Sequence, residues 1–185
     1  MVLLGITGTD GAGKGAVVDY LVEKRGFTHC SARAIWIEEI ERQGIENNRA
    51  NMRLVANELR AKHGYDYLIT YYLQKIAEEK PEQVVIESLR ARAEAETLKA
   101  NGGILLVVDA DQQLRYERIQ GRKSSSDQIT FEEFVGHEEL EMDDPDPAGM
   151  QKAKVIEMAD HVIQNNSSLE ELHKQIDAIM VEIKS

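Results

Sequence analysis

The sequence predicts an α/β protein: a three-layer fold with a doubly wound parallel sheet between helices. Three observations carry this. Val2 to Thr7, Gln83 to Glu87 and Ile104 to Val108 are short apolar runs, the pattern of strands covered on both faces. Stretches with helical periodicity lie between them, which implies crossover connections and parallel strands. A glycine-rich segment, Gly8-Thr-Asp-Gly-Ala-Gly-Lys-Gly15, joins the first strand to the first helix. Ligands of open parallel sheets sit at the carboxyl ends of the strands, where that segment falls.

In chain order, Val2 to Thr7 is the first strand. A helix follows from Lys14 to Lys24, with Val17, Val18, Leu21 and Val22 inward and a stop near Gly26. Phe27 to Cys30 reads as a second strand. Ala34 to Gln43 reads as a helix, with Trp36, Ile37 and Ile40 on one face. Trp36 shares its stripe with isoleucines, so core packing is favoured over base stacking. Asn51 to His63 is helical, with Met52, Val55, Ala56 and Leu59 as its apolar stripe. Arg49, Arg53 and Arg60 line one edge of that stripe. Such a rim either clamps a phosphate or is solvated and paired with Glu58, and spacing alone leans to the second. Tyr65 to Glu79 continues helical and ends before Pro81.

Gln83 to Glu87 is a strand that ends on an acid. Arg92 to Ala100 is a helix closed by Gly102-Gly103, and Ile104 to Val108 is the next strand. Asp111 to Arg122 is helical and puts Arg115, Arg118 and Arg122 on one stripe at i, i+3 and i+7. Clustered arginines bind phosphates bidentately and stack on flat bases. Ser124 to Asp127 is a polar break. Thr130 to Asp146 is densely acidic, with Glu138, Glu139, Glu141, Asp143, Asp144 and Asp146 among its charges, and reads as a solvated helix face. Met150 to Met158 is helical and His161 to Gln164 a short last strand. Ser168-Leu-Glu-Glu171 caps a final helix whose stripe is Leu169, Leu172, Ile176, Ile179, Met180 and Ile183.

Bulk properties narrow the function. The 185 residues suit one domain spanning 1–185, without repeat or linker. The formal net charge of -11 argues against general affinity for nucleic acid or an anionic membrane. The single cysteine, Cys30, excludes an intrachain disulfide and suits a reducing, cytoplasmic location. The opening Met-Val-Leu-Leu-Gly has no basic segment and no long apolar core, so no signal peptide is expected. No apolar run is long enough to span a bilayer.

The glycine-rich segment has the context of a phosphate-binding loop: buried strand, turn, helix. Its glycines let backbone N–H groups wrap a phosphate, and the new helix adds its positive end. Lys14 supplies a point charge for a β- or γ-phosphate. Gly15 stands where the strict motif has Ser or Thr. The predicted nucleotide contacts are Gly8, Thr9, Asp10, Gly11, Ala12, Gly13, Lys14, Gly15 and Ala16. Glu87, at a strand's carboxyl end, is placed to hold magnesium through water or to orient the attacking group. Arg90, just beyond, is placed to face the same site.

These residues together resemble small P-loop kinases of metabolites: nucleoside monophosphate kinases, dephospho-CoA kinase and archaeal nucleotide-kinase-like proteins. Gly13-Lys14-Gly15 looks like adenylate kinase and Asp10-Gly11 like thymidylate kinase. Phe27 to Ser31 resembles the start of the monophosphate-binding region. Val84-Val-Ile-Glu-Ser-Leu-Arg90 is similar to the strand that ends on an acid before a substrate-binding arginine. Glu117-Arg-Ile-Gln-Gly-Arg122 is similar to the segment entering the adenylate kinase lid. By that resemblance Arg118 stacks on adenine and Arg122 meets the phosphates. Ala159-Asp-His-Val-Ile-Gln-Asn165 resembles the run near the adenine, which brings in Asn165. The resemblance implies a five-stranded parallel P-loop NTPase fold with a mobile lid, here about 123–146. Departures accompany it. Gly15 and Ala16 offer no hydroxyl near magnesium. Ala34 and Ile37 stand where a monophosphate-binding Asp and Arg are expected. An acidic segment replaces the second group of lid arginines.

The expectation is an ATP- and Mg²⁺-dependent phosphotransferase with a small phosphorylated acceptor. Lys14, Glu87, Arg118 and Arg122 are its catalytic candidates, and Asp10 and Glu87 its metal-side carboxylates. Arg33, Arg60 and Arg90 are its acceptor arginines. The alternative is a regulatory nucleotide-binding protein or a simple NTPase.

Overall fold

A computed structural model describes residues 1–121, 129–144 and 150–184. Five strands, β1 (Val2–Gly8), β2 (Thr28–Ser31), β3 (Gln83–Glu87), β4 (Ile104–Asp109) and β5 (His161–Gln164), form one sheet in the order β2-β3-β1-β4-β5. Every pairing is parallel. The strand order reverses beside β1, which puts the loop after β1 at the crevice where such sheets bind ligands.

Residue parity along the strands divides the core into two layers. Leu3, Val84, Ile86 and Leu105 face one side, against α2 (Ala32–Gln43), α3 (Arg49–His63), α4 (Tyr67–Glu79) and α5 (Arg92–Ala100). Leu4, Ile6, Val85, Leu106, Val108 and Ile163 face the other, against α1 (Lys14–Arg25) and α9 (Leu169–Lys184). This is the period-2 alternation of a sheet buried on both faces. Gly5 has no side chain because Leu89 and Leu98 fill the space a Cβ would need. Trp36 is buried in the first layer, as its isoleucine neighbours predict.

The remaining helices are α6 (Gln112–Gln120), α7 (Phe131–Met142) and α8 (Lys152–Glu157). Helix α6 stops at Gly121, so Arg122 lies outside the described residues, as does the polar break 124–127. Helix α7 starts on a capping box, Thr130 with Glu133. Two apolar assignments are corrected. Val22 is 37% exposed, because α1 already buries Val17, Val18 and Leu21 and position 22 turns outward. Leu169 is 61% exposed, because it opens α9 before the stripe reaches the sheet at Leu172.

Candidate functional site

The loop from Gly8 to Gly13 is shaped by positions only glycine tolerates. Gly11 has φ 82° and Gly13 φ 97°, both left-handed. A side chain at Gly11 would meet the backbone of Arg115, and one at Gly13 would meet Nδ2 of Asn165. The loop is therefore clasped between α6 and the segment after β5. Asn165, itself buried, donates from Nδ2 to the Ala12 carbonyl at 2.7 Å. Thr9 donates from Oγ1 to Oδ1 of Asp109, the last residue of β4, at 2.7 Å. Arg115 donates from Nη1 to the Asp10 carbonyl at 3.2 Å and from Nε to the Ala110 carbonyl at 2.8 Å. A loop fixed from three sides holds its N–H groups in place before any ligand arrives.

Lys14 opens α1 and folds back over this loop. Its Nζ donates to the carbonyls of Gly8 at 3.0 Å and Thr9 at 2.8 Å, and lies 3.7 Å from Oδ1 of Asp10. Burial pushes the Lys14 ammonium down to about 8; Asp10 opposes this, while Lys152 and Arg90 add to it. For Asp10, burial works to raise the carboxyl. The charges of Lys152, Lys14 and Arg90 outweigh it and hold the group well below the usual carboxylate range. The loop is thus a cluster of interleaved charges, with Lys14, Lys152 and Arg90 set around Asp10.

Glu87 ends β3, in register with Ile6 of β1 and Ser31 of β2. His29, one strand over, shares a 2.9 Å hydrogen bond between its Nε2 and Oε2 of Glu87. That bond holds the Glu87 carboxyl below its usual range against the effect of burial, with the charges of His29, Lys14 and Arg90 assisting. Ser88 then adopts φ 70°, a strained conformation for a non-glycine residue, while Ser88 and Leu89 both donate backbone N–H groups to the Ile6 carbonyl. This turn delivers Arg90. Its side chain acts electrostatically on Asp10, Lys14 and Glu87, and its Nη1 lies 3.4 Å from Sδ of Met150.

The structure brings Lys14, Asp10, Glu87 and Arg90 to one rim. Arg60 departs from the expectation that it faces an acceptor. Its side chain is buried against Glu94, to which Nη2 and Nε donate at 3.1 Å and 3.3 Å, and its guanidinium stacks 5.6 Å from the Trp36 ring. The other oxygen of Glu94 accepts from the N–H groups of Arg90 and Ala91 at 2.7 Å and 3.0 Å. Arg60 therefore braces the turn that carries Arg90. Arg33 is exposed on α2, two residues beyond the end of β2. Arg118 is half-buried, and its Nη1 is buried with no hydrogen-bond partner among the described residues. Gly15 and Ala16 sit in the first turn of α1.

Among the described residues, no group of three or more His, Cys, Asp and Glu side chains converges on a metal position. Magnesium is commonly held by one or two carboxylates, water and the substrate's own phosphates; the carboxylates at this rim are Asp10, paired with Lys14 and Lys152, and Glu87, bonded to His29.

Two contacts were not read from the sequence. Lys152, buried at the start of α8, donates from Nζ to Oδ1 of Asp10 at 3.1 Å and also to Oε2 of Glu141 on α7. Arg115, buried on α6, holds both oxygens of Glu138 on α7. The acidic run is thus corrected in part. Glu138 and Glu141, three apart on one face of α7, are pinned by buried cations, whereas Glu132 and Glu139 are exposed as expected. The arginine stripe is likewise corrected at Arg115, whose donors are spent on the loop and on Glu138. No spacing within the sequence links 10, 115, 138, 141 and 152; only the packing of α6, α7 and α8 does. A separate surface hollow of about 1010 Å³, lined by Val2, Ile76, Pro81 and Gln83, lies at the amino ends of the strands, away from the loop.

Comparison with known proteins agrees with this geometry. A protein-family profile described as an AAA domain matches residues 4–146. The UPF0200 protein of Pyrobaculum aerophilum is 30% identical over 186 residues, covering 98% of each chain. Among solved structures, shikimate kinase from Bacteroides thetaiotaomicron superposes with a TM-score of 0.65 at 15% identity, covering 100% of this chain and 99% of that one. Dephospho-CoA kinase from Campylobacter jejuni gives 0.55 at 16% identity, covering 98% and 96%. These structures share the fold: a five-stranded parallel sheet of the P-loop kinase type. On the sequence matches, the chain belongs to the UPF0200 family and carries an AAA domain over residues 4–146.

Proposed function

We propose that this protein is an ATP-dependent phosphotransferase acting on a nucleoside monophosphate or a similar phosphorylated metabolite. The observation that carries the reading is the clasped glycine loop with Lys14 folded over it, beside Glu87 at the end of the neighbouring strand. The loop N–H groups and Lys14 hold the ATP phosphates. Glu87 is ionised near neutral pH and orients the acceptor, taking a proton only where the attacking oxygen is a hydroxyl rather than an ionised phosphate oxygen. The acceptor oxygen bonds to the terminal phosphorus as the bond to the bridging oxygen breaks, and ADP leaves. Such catalysis is positioning and charge neutralisation. Asp10 and Glu87 would hold magnesium, which when bound would supply neutralising charge for the phosphates.

Arg118, with its unpartnered buried Nη1, serves the nucleotide side, and Arg122 is assigned to the phosphates by resemblance. Arg90, with Arg33 exposed two residues beyond the end of β2, holds the acceptor. Guanidinium forks suit a phosphate that must be held in line. Asn165 acts on the nucleotide through the loop that it anchors. Of the range 123–146, α7 is the described part of the lid that excludes water on closing.

A second reading, a nucleotide-binding regulator or simple NTPase, is favoured by one observation: Gly15 and Ala16 place no hydroxyl beside the loop lysine. ADP release measured across nucleoside monophosphates, dephospho-CoA and shikimate separates the two. Stimulation by a nucleotide-like acceptor supports the transferase. ATP hydrolysis or binding that no acceptor stimulates supports the second reading.

A further inference from the structure

We propose that Lys152 is a nucleotide-phosphate ligand, and that nucleotide binding exchanges Glu141 for a phosphate oxygen on its ammonium. The inference rests on the phosphate-loop reading above and names a residue and a competitor which that reading does not contain.

Lys152 and Lys14 share one carboxylate oxygen. Oδ1 of Asp10 lies 3.1 Å from the Lys152 Nζ and 3.7 Å from the Lys14 Nζ. Lys152 therefore belongs to the loop's own charge cluster, although it comes from α8, far along the chain. Its side chain is 4% exposed. A buried ammonium needs anions around it, and here it has two, Asp10 and Glu141.

The two anions differ in how firmly they are held. Asp10 is part of the loop, and its backbone carbonyl is fixed by Arg115. Glu141 lies on α7 with its side chain 29% exposed, so it can turn into water without stranding a buried charge. A phosphate reaching Lys14 meets Lys152 at the next position along Asp10. It carries more negative charge than the carboxylate it displaces, and a lysine binds it as a point charge. Phosphoryl transfer spreads charge over several phosphate oxygens, and cations beside them lower its barrier. The second group of lid arginines is missing from this sequence, and α7 brings carboxylates in its place. Lys152 supplies a cation there, and Glu141 guards it.

The test compares binding of a fluorescent ATP analogue to the wild type, Lys14→Ala, Glu141→Gln, Lys152→Met and Lys152→Arg. Glu141→Gln removes the competitor, so binding tightens about three- to tenfold. Lys152→Met weakens binding about ten- to a hundredfold, the scale of a lost charge-assisted contact, and Lys152→Arg restores most of it. If Lys152 only braces α7 against the loop, Glu141→Gln leaves binding unchanged or weaker, and the proposal is overturned. Wild-type affinity in folded Lys152→Met overturns it as well. Should Lys152→Met fail to fold, the sign of the Glu141→Gln effect decides alone. A wild type that binds no nucleotide removes the phosphate-loop reading and this proposal together. Binding that Lys14→Ala abolishes keeps the loop reading, and the other variants then judge Lys152.

Discussion

Two of the buried cations beside the site, Arg60 and Lys152, differ in what surrounds their carboxylates. Arg60 pairs with Glu94, whose side chain is 0% exposed and whose second oxygen is filled by two backbone N–H groups. Lys152 pairs with Asp10 and Glu141, both partly exposed, within reach of Lys14. The first arrangement is closed: every acceptor is used, and no ligand can enter without breaking the fold. The second is open on the solvent side and can trade one anion for another. A buried charge therefore marks a ligand site only when its counter-ion is free to leave.

The closed pair predicts the largest loss of stability. Glu94→Gln leaves Arg60 buried without its counter-charge and removes an acceptor from the turn before α5. Breaking such a pair costs about 3–5 kcal/mol. For a chain of this size that lowers the melting temperature by roughly 10 °C. A thermal melt in which this variant matches the wild type would erase the distinction between the two cations.

On the open side, substitutions act on chemistry before stability. Glu87→Gln keeps a hydrogen bond to His29 but cannot take a proton. The transfer rate is expected to fall about a hundredfold or more while nucleotide affinity stays near wild type. An unchanged rate across a magnesium titration would move Glu87 out of the site.

The smallest effect is a pH dependence. Burial lowers Lys14 to about 8, so the lysine gives up its proton as pH rises through that value. A phosphate requires the charged form. Nucleotide affinity therefore stays level below about pH 8 and then falls, by at most tenfold per pH unit. A flat titration from pH 7 to 9.5 would mean that Lys14 keeps its proton through that range and that burial does not lower it as far.

The same contrast explains what the sequence disclosed. The β1 loop, Glu87 and the buried strands were legible because each is local: a glycine every few residues, an acid closing an apolar run, an unbroken apolar run. Arg60 was misjudged because its partner is 34 positions away and helical spacing alone cannot distinguish a solvated rim from a buried brace. The stripe of Arg115, Arg118 and Arg122 was seen, but not that Glu138 would claim Arg115. Lys152 was missed because nothing beside it in the chain signals a site. Its role depends on Asp10, 142 positions away.

Every role proposed for these residues depends on the loop around Lys14 binding the phosphates of ATP. Calorimetric titration of ATP with magnesium into the wild type and Lys14→Ala tests it most directly, with circular dichroism confirming that both are folded. Saturable one-site binding to the wild type is expected, with a loss of about a hundredfold or more in the variant, since a buried charge-assisted contact disappears. Equal affinity in the two folded proteins would contradict it.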